Sequence, residues 1–87
     1  MTTPATRPSM GSIREQIVHA LVEEFWIPPD RITVDTRFVD LGFDSLGLVE
    51  LAIAIRKRFG VMFRESEITR SMTVNSTAEL VASRVAR

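Results

Sequence analysis

Residues 41–51 read LGFDSLGLVEL. Ser45, a potential nucleophile, stands between an acid and a leucine at the mouth of an apolar run. A serine there can cap a helix, or it can be a point of attachment. From Asp44 or Ser45 to Phe59 the apolar residues recur with helical period, and Gly60 suits the position just past a helix end. At about 100° per residue, Leu48, Leu51, Ala52, Ile55 and Phe59 fall on one face. Leu46, Val49 and Ile53 fall on the opposite side, beside Glu50 and Lys57. A small bundle helix needs only one apolar face. The second face is either covered by another short helix or left as a docking or cavity surface, and both can hold at once.

Upstream, residues 12–15 (SIRE) fit a capping box. Ile13, Ile17, Leu21 and Phe25 then recur at four-residue spacing, widened by Val18 and Val22, and predict an amphipathic helix of about 14 residues. Pro28 and Pro29 stop it. Residues 28–43 follow neither helical nor strand period, yet Ile32, Val34, Phe38, Leu41 and Phe43 are scattered through them. A loop of roughly 15 residues is long for a small domain, and its apolar content predicts packing over the core. A strand over RITVDTRFV would need a partner that the sequence does not offer. Downstream, a short helical turn is expected near residues 65–70. A last helix is expected from Asn75 or Ser76, where residues 76–79 (STAE) form a second capping box. The expected fold is all-α: three main helices and one short one, joined by a long first loop. Its core should bring Leu51, Ile55 and Phe59 against Ile17, Leu21 and Phe25.

Eighty-seven residues make one domain with a modest core. No apolar run approaches a membrane span, and the N-terminus lacks the apolar segment of a secretory signal. Residues 1–11 are read as a disordered lead, and the chain as cytoplasmic. Its own Met1 and short tail suggest a free-standing protein. There is no cysteine, which excludes disulfides, thiolate metal sites and a cysteine nucleophile. Eleven basic residues balance eleven acidic ones, which does not favour nucleic acid as a partner.

A catalytic Ser45 would need an adjacent base. The single histidine, His19, falls away from the apolar stripe of the first helix and is expected to be solvated. The surrounding residues are neither G-x-S-x-G nor S-x-x-K, and one histidine cannot build a metal site. A hydroxyl at a helix start does lie where backbone N–H groups are unpaired and the dipole is positive, a setting that also stabilises a phosphate. From the residues alone, Ser45 is either a modified side chain or only a cap.

Residues 40–46 (DLGFDSL), with Glu50 and Leu51 following in the same helix, resemble the attachment motif of acyl carrier proteins. So do ITVDT at residues 32–36, RFG at 58–60 and MTV at 72–74, and the resemblance runs from Ile13 to Val85. It implies a four-helix carrier fold over residues 12–87 that is not an enzyme. A phosphopantetheinyl transferase would join 4′-phosphopantetheine from coenzyme A to Ser45, and the arm's thiol would hold acyl groups as thioesters. The chain needs no cysteine of its own because the arm supplies the sulfur. Asp44 would help recruit the transferase. Leu46, Val49 and Ile53 would form the apolar part of a docking face, with Glu50 near the arm and Arg56 and Lys57 at the basic edge. Partners would be acyl-loading, ketosynthase or tailoring enzymes, met by a monomer with no nucleic acid or membrane involved.

Two departures from the family pattern bear on the pathway. Arg56, Lys57 and Arg58 occupy the last turn of a helix that is acidic in many carriers, and Gly47 stands where a larger residue is common. Both point away from housekeeping fatty acid synthesis and towards a specialised, polyketide-like pathway. The rivals are a peptidyl carrier of nonribosomal synthesis, an unmodified helical interaction module, and a small DNA-binding domain using Arg56–Arg58. Phe43 and Asp44 before the serine favour the acyl class over the peptidyl one. The acids Asp40, Asp44 and Glu50 argue against a phosphate-facing surface.

Overall fold

The computed structural model describes residues 9–85. Helix α1 spans Met10–Phe25, α2 spans Ser45–Phe59 and α3 spans Val74–Val85. Short 3₁₀ turns lie at Pro29–Arg31, Phe38–Leu41 and Glu65–Glu67. The fold is all-α, and its short fourth helix is the single turn Glu65–Glu67. No helix among the described residues is long and apolar enough to cross a membrane.

Each helix start is set by a side chain that takes an unpaired N–H group. Ser9 Oγ accepts the Ser12 N–H at 3.1 Å, so α1 begins at Met10 rather than Ser12. The expected boundary between residues 11 and 12 therefore falls inside the first helical turn. Residues 1–8 of the expected lead lie outside the described residues. At α3, Thr73 Oγ1 accepts the Ser76 N–H at 3.0 Å while Ser76 Oγ accepts the Thr73 N–H at 2.8 Å. The reciprocal pair makes Thr73 the cap and Ser76 its third-position partner, one turn earlier than the STAE template suggests. At α2, Asp44 Oδ1 accepts the Gly47 N–H at 2.8 Å, and the Asp44 carbonyl accepts the Leu48 N–H at 2.9 Å. Asp44 is the cap and Ser45 is the first helical residue.

The helix ends differ in kind. Gly60 ends α2 in the left-handed region (φ 66°), its N–H donating to the Arg56 carbonyl at 2.8 Å. At the end of α1 the same conformation falls to Trp26 (φ 61°), which is 85% exposed. A left-handed conformation costs an L-residue about 1–2 kcal/mol. Pro28 follows two residues on and prevents the helix from continuing.

Ile13, Ile17, Leu21, Leu51 and Ile55 are buried at the centre with Val74, Ala78 and Val81 of α3. Phe25 and Phe59 are only partly buried and pack at the edge of this core. The long loop supplies the aromatic centre instead. Phe38 is fully buried, and the Phe43 ring meets Phe25 at 5.3 Å and Phe38 at 5.8 Å, both edge-on. Edge-to-face pairing of this kind adds to simple burial. The loop does find backbone partners, in the segment before α3. The Phe38 and Val39 N–H groups donate to Met72 and Arg70, the Asn75 N–H donates to Val34, and an isolated bridge joins Arg37 to Thr73. These bonds hold on the core a loop whose only regular pieces are two short 3₁₀ turns.

Two stability predictions follow from this packing. Leu51→Ala should cost ~2–5 kcal/mol in denaturant melts, and Phe59→Ala, at the core's edge, should cost less. Asp44→Ala should cost ~1 kcal/mol and Asp44→Asn almost nothing, because both acid and amide cap well. Equal losses for the two Asp44 variants would mean that the charge, not the cap, stabilises α2.

Candidate functional site

Ser45 is exposed at the first position of α2, and no hydrogen bond to its hydroxyl occurs among the described residues. Asp44 has already taken the Gly47 and Leu48 N–H groups. That leaves the N–H groups of Ser45 and Leu46 pointing out of the positive end of a 15-residue helix. The backbone reaches this position through Gly42, whose φ of 89° turns the chain from the Phe38–Leu41 turn into the helix.

Gly47 has a local reason to lack a side chain. A Cβ there would stand 3.1 Å from the Phe43 ring and 3.2 Å from Asp44 Oδ1. Phe43 is held by its two aromatic neighbours and Asp44 by its cap, so a larger residue would press on both.

A groove of about 550 Å³ opens beside Ser45. Leu48, Val49 and Ile68 give it an apolar lining, and Arg64, Glu65 and Ser66 form its far wall. The apolar strip expected on α2 is present: Leu46 is 68% exposed, Val49 39% and Ile53 38%. Lys57 continues it one turn further and is exposed, as is Glu50. Val49 belongs to both surfaces, so the second apolar side of α2 is partly groove and partly open strip.

The basic turn does not act as a unit. Arg56 turns away from the strip, donating to the Phe63 carbonyl at 3.0 Å and to Glu65 at 2.9 Å. The Glu65 carboxylate and the Phe63 carbonyl draw it onto the segment between α2 and α3 rather than along the strip. Arg58 reaches back to α1, donating to Gln16 at 3.0 Å and to Glu24 at 3.2 Å. Of the three cations in this turn, only Lys57 faces outward with no salt bridge among the described residues. His19 is exposed as expected and lies 3.8 Å from Glu23 on the same helix.

The groove's far wall was not apparent from sequence. Arg64, Ser66 and Ile68 reach the site only because the 61–68 segment folds back over α2, with Val61, Phe63 and Ile68 buried beneath it. Alternation of these buried residues with exposed Met62 and Arg64 is the one local signal of that packing. The segment is also fastened to α3. The Arg64 backbone N–H donates to Glu67 at 2.9 Å, and Arg84 donates to Glu67 and to the Met62 carbonyl. The Arg64 N–H and then the Arg84 guanidinium hold the Glu67 carboxyl below its ordinary pKa. This contribution to stability is therefore present above the ordinary carboxylate range and is lost as the pH falls through the lowered value.

A family model described as a phosphopantetheine attachment site matches residues 15–81. An acyl carrier protein of Akkermansia muciniphila is 33% identical over 75 residues, covering 85% of this chain and 90% of that one. An acyl carrier protein of Campylobacter hominis is 29% identical over 68 residues, covering 77% and 86%. Among solved structures, a 3,5-dioxohexyl (triketide-mimic) acyl carrier protein from the actinorhodin polyketide synthase of Streptomyces coelicolor aligns with a TM-score of 0.61. It is 28% identical, and the alignment covers 95% of this chain and 96% of that one. With the helical fold and the exposed serine at the head of α2, these likenesses place the chain in the acyl carrier protein family, whose members are carriers with a covalent 4′-phosphopantetheine group rather than catalysts.

Proposed function

We propose that Ser45 carries the arm. The observation that carries this reading is the division of labour at the head of α2: Asp44 caps the helix, so the adjacent Ser45 hydroxyl is exposed and spared any structural task. The residues fit the group. A phosphodiester on Ser45 Oγ would lie beside the unpaired Ser45 and Leu46 N–H groups, in the helix dipole's favourable field. The apolar groove would lie next to it. When bound, the arm supplies the thiol on which acyl groups travel as thioesters.

The partners in this reading are a phosphopantetheinyl transferase and the acyl-loading, ketosynthase or tailoring enzymes of a specialised, polyketide-like pathway in the cytoplasm. The neutral balance of charge and the likeness to the actinorhodin carrier support that pathway. The docking surface consists of Leu46, Val49 and Ile53, edged by Glu50 near the arm and by Lys57 at the far end. Asp44 contributes its exposed carboxylate. A monomer suffices, since the whole strip must stay open to partners.

Incubating the protein with coenzyme A and a broad-specificity transferase should add the mass of one arm, and Ser45→Ala should add none. The variant keeps the Asp44 cap and should remain folded. Modification of Ser45→Ala, or none of the wild type, would end the proposal.

Lys57→Glu should leave the melting temperature almost unchanged. It should slow acyl transfer from a cognate enzyme, more at low salt than at high, because exposed charges steer encounter and are screened. Arg56→Glu should instead lower the melting temperature, since it places a carboxylate against Glu65. Unchanged transfer rates for Lys57→Glu at low salt would remove that residue from the docking surface.

A further inference from the structure

The groove beside Ser45 holds one positive charge that no salt bridge among the described residues takes up. Three guanidiniums and two carboxylates surround its far wall. Arg56 is paired with Glu65 and Arg84 with Glu67. Both arginines also donate to backbone carbonyls, of Phe63 and Met62. Arg64 is left over: it is exposed, its side chain makes no salt bridge or hydrogen bond among the described residues, and it lines the groove together with Ser45 and Ser66. On the opposite side the groove is apolar, with Leu48 and Ile68 buried and Val49 at the rim.

This combination discriminates between kinds of acyl group. A plain alkyl chain lying on Leu48 and Ile68 would gain apolar burial but would partly desolvate the Arg64 guanidinium without pairing it, which is unfavourable. A chain of the same length bearing a carbonyl or carboxylate oxygen would keep the apolar contact and accept a charge-assisted hydrogen bond from Arg64. Sites that offer a polar partner separate ligands with and without the matching group far more sharply than apolar pockets separate lengths. We infer that Arg64 is a specificity determinant that makes this carrier hold oxygenated acyl groups, with keto or carboxylate oxygens along the chain, in preference to plain alkyl groups. The inference rests on Ser45 being the attachment point.

The test uses the intact protein, loaded through the transferase with pantetheine analogues that carry butyryl, acetoacetyl or succinyl groups of equal carbon count through a non-hydrolysable amide. Intact mass first establishes loading. Proton–nitrogen NMR then reads the Arg64 Nε–Hε resonance, and nuclear Overhauser contacts are read from the acyl chain to the Leu48 and Ile68 methyl groups. Acetoacetyl and succinyl should shift the Arg64 resonance and contact both methyl-bearing residues, while butyryl should leave Arg64 in place. In Arg64→Gln, which removes no side-chain hydrogen bond or salt bridge among the described residues, the oxygenated chains should lose those contacts and butyryl should be unaffected. Equal Arg64 shifts for all three groups, or unchanged contacts in Arg64→Gln, would overturn the inference and leave the carrier reading standing. No gain of mass at all would defeat the carrier reading, and this inference with it.

Discussion

A single hydrogen bond of 2.8 Å, from the Gly47 N–H to Asp44 Oδ1, fixes where the second helix begins and so where Ser45 stands. Everything around it is arranged to keep that bond. Phe43 is pinned between Phe25 and Phe38, which sets the approach of the chain, and Gly42 makes the turn that precedes it. Gly47 leaves room for both the ring and the carboxylate. With the cap supplied by its neighbour, the serine has no part in holding the helix together. The stability of the helix start is thereby separated from the Ser45 hydroxyl, as the proposed attachment there requires.

The same economy governs the charges. The chain is neutral overall, yet three basic residues stand together in the last turn of α2. Arg58 ties α2 to α1 and Arg56 ties it to the segment leading to α3, so two of the three cations hold the bundle together and one faces outward. Arg has the fork geometry to bond a carboxylate and a second oxygen acceptor at once, which Lys lacks. That the outward residue is Lys57 and the inward ones are arginines fits this difference. The exposed strip of α2 is therefore mostly apolar, with Glu50 near Ser45 and Lys57 at the far end.

Much of this was legible in the sequence, for physical reasons. The four-residue spacing of Ile13, Ile17 and Leu21 and the face of Leu48, Leu51 and Ile55 are periodic signals, and all six residues are buried. The two-sided apolar character of α2 was equally plain and left Leu46 exposed. The helix starts were less legible. Ser12 and Ser76 fit capping-box templates, but Ser9 and Thr73 take the unpaired N–H groups, because a hydroxyl's role depends on which donor it meets rather than on a template. Trp26 in a left-handed conformation could not be foreseen, since that position favours glycine. Nor could the pairings of Arg56 and Arg58, which join residues distant in the chain. The groove wall at Arg64 and Ser66 exists only once Val61, Phe63 and Ile68 are buried against the helices, so the short alternation over residues 61–64 was its only local signal.

The central claim, that one serine at the head of α2 carries the arm, has a direct test in the chain's own cleavage pattern. Trypsin cutting after Arg37 and Arg56 releases residues 38–56, and Ser45 is the only hydroxyl-bearing residue in that peptide. After treatment with coenzyme A and a transferase, tandem mass spectrometry should find the added mass on this peptide alone, with loss of the arm on fragmentation. An arm on any other peptide, or an unmodified 38–56 peptide from protein that has gained mass, would contradict the account.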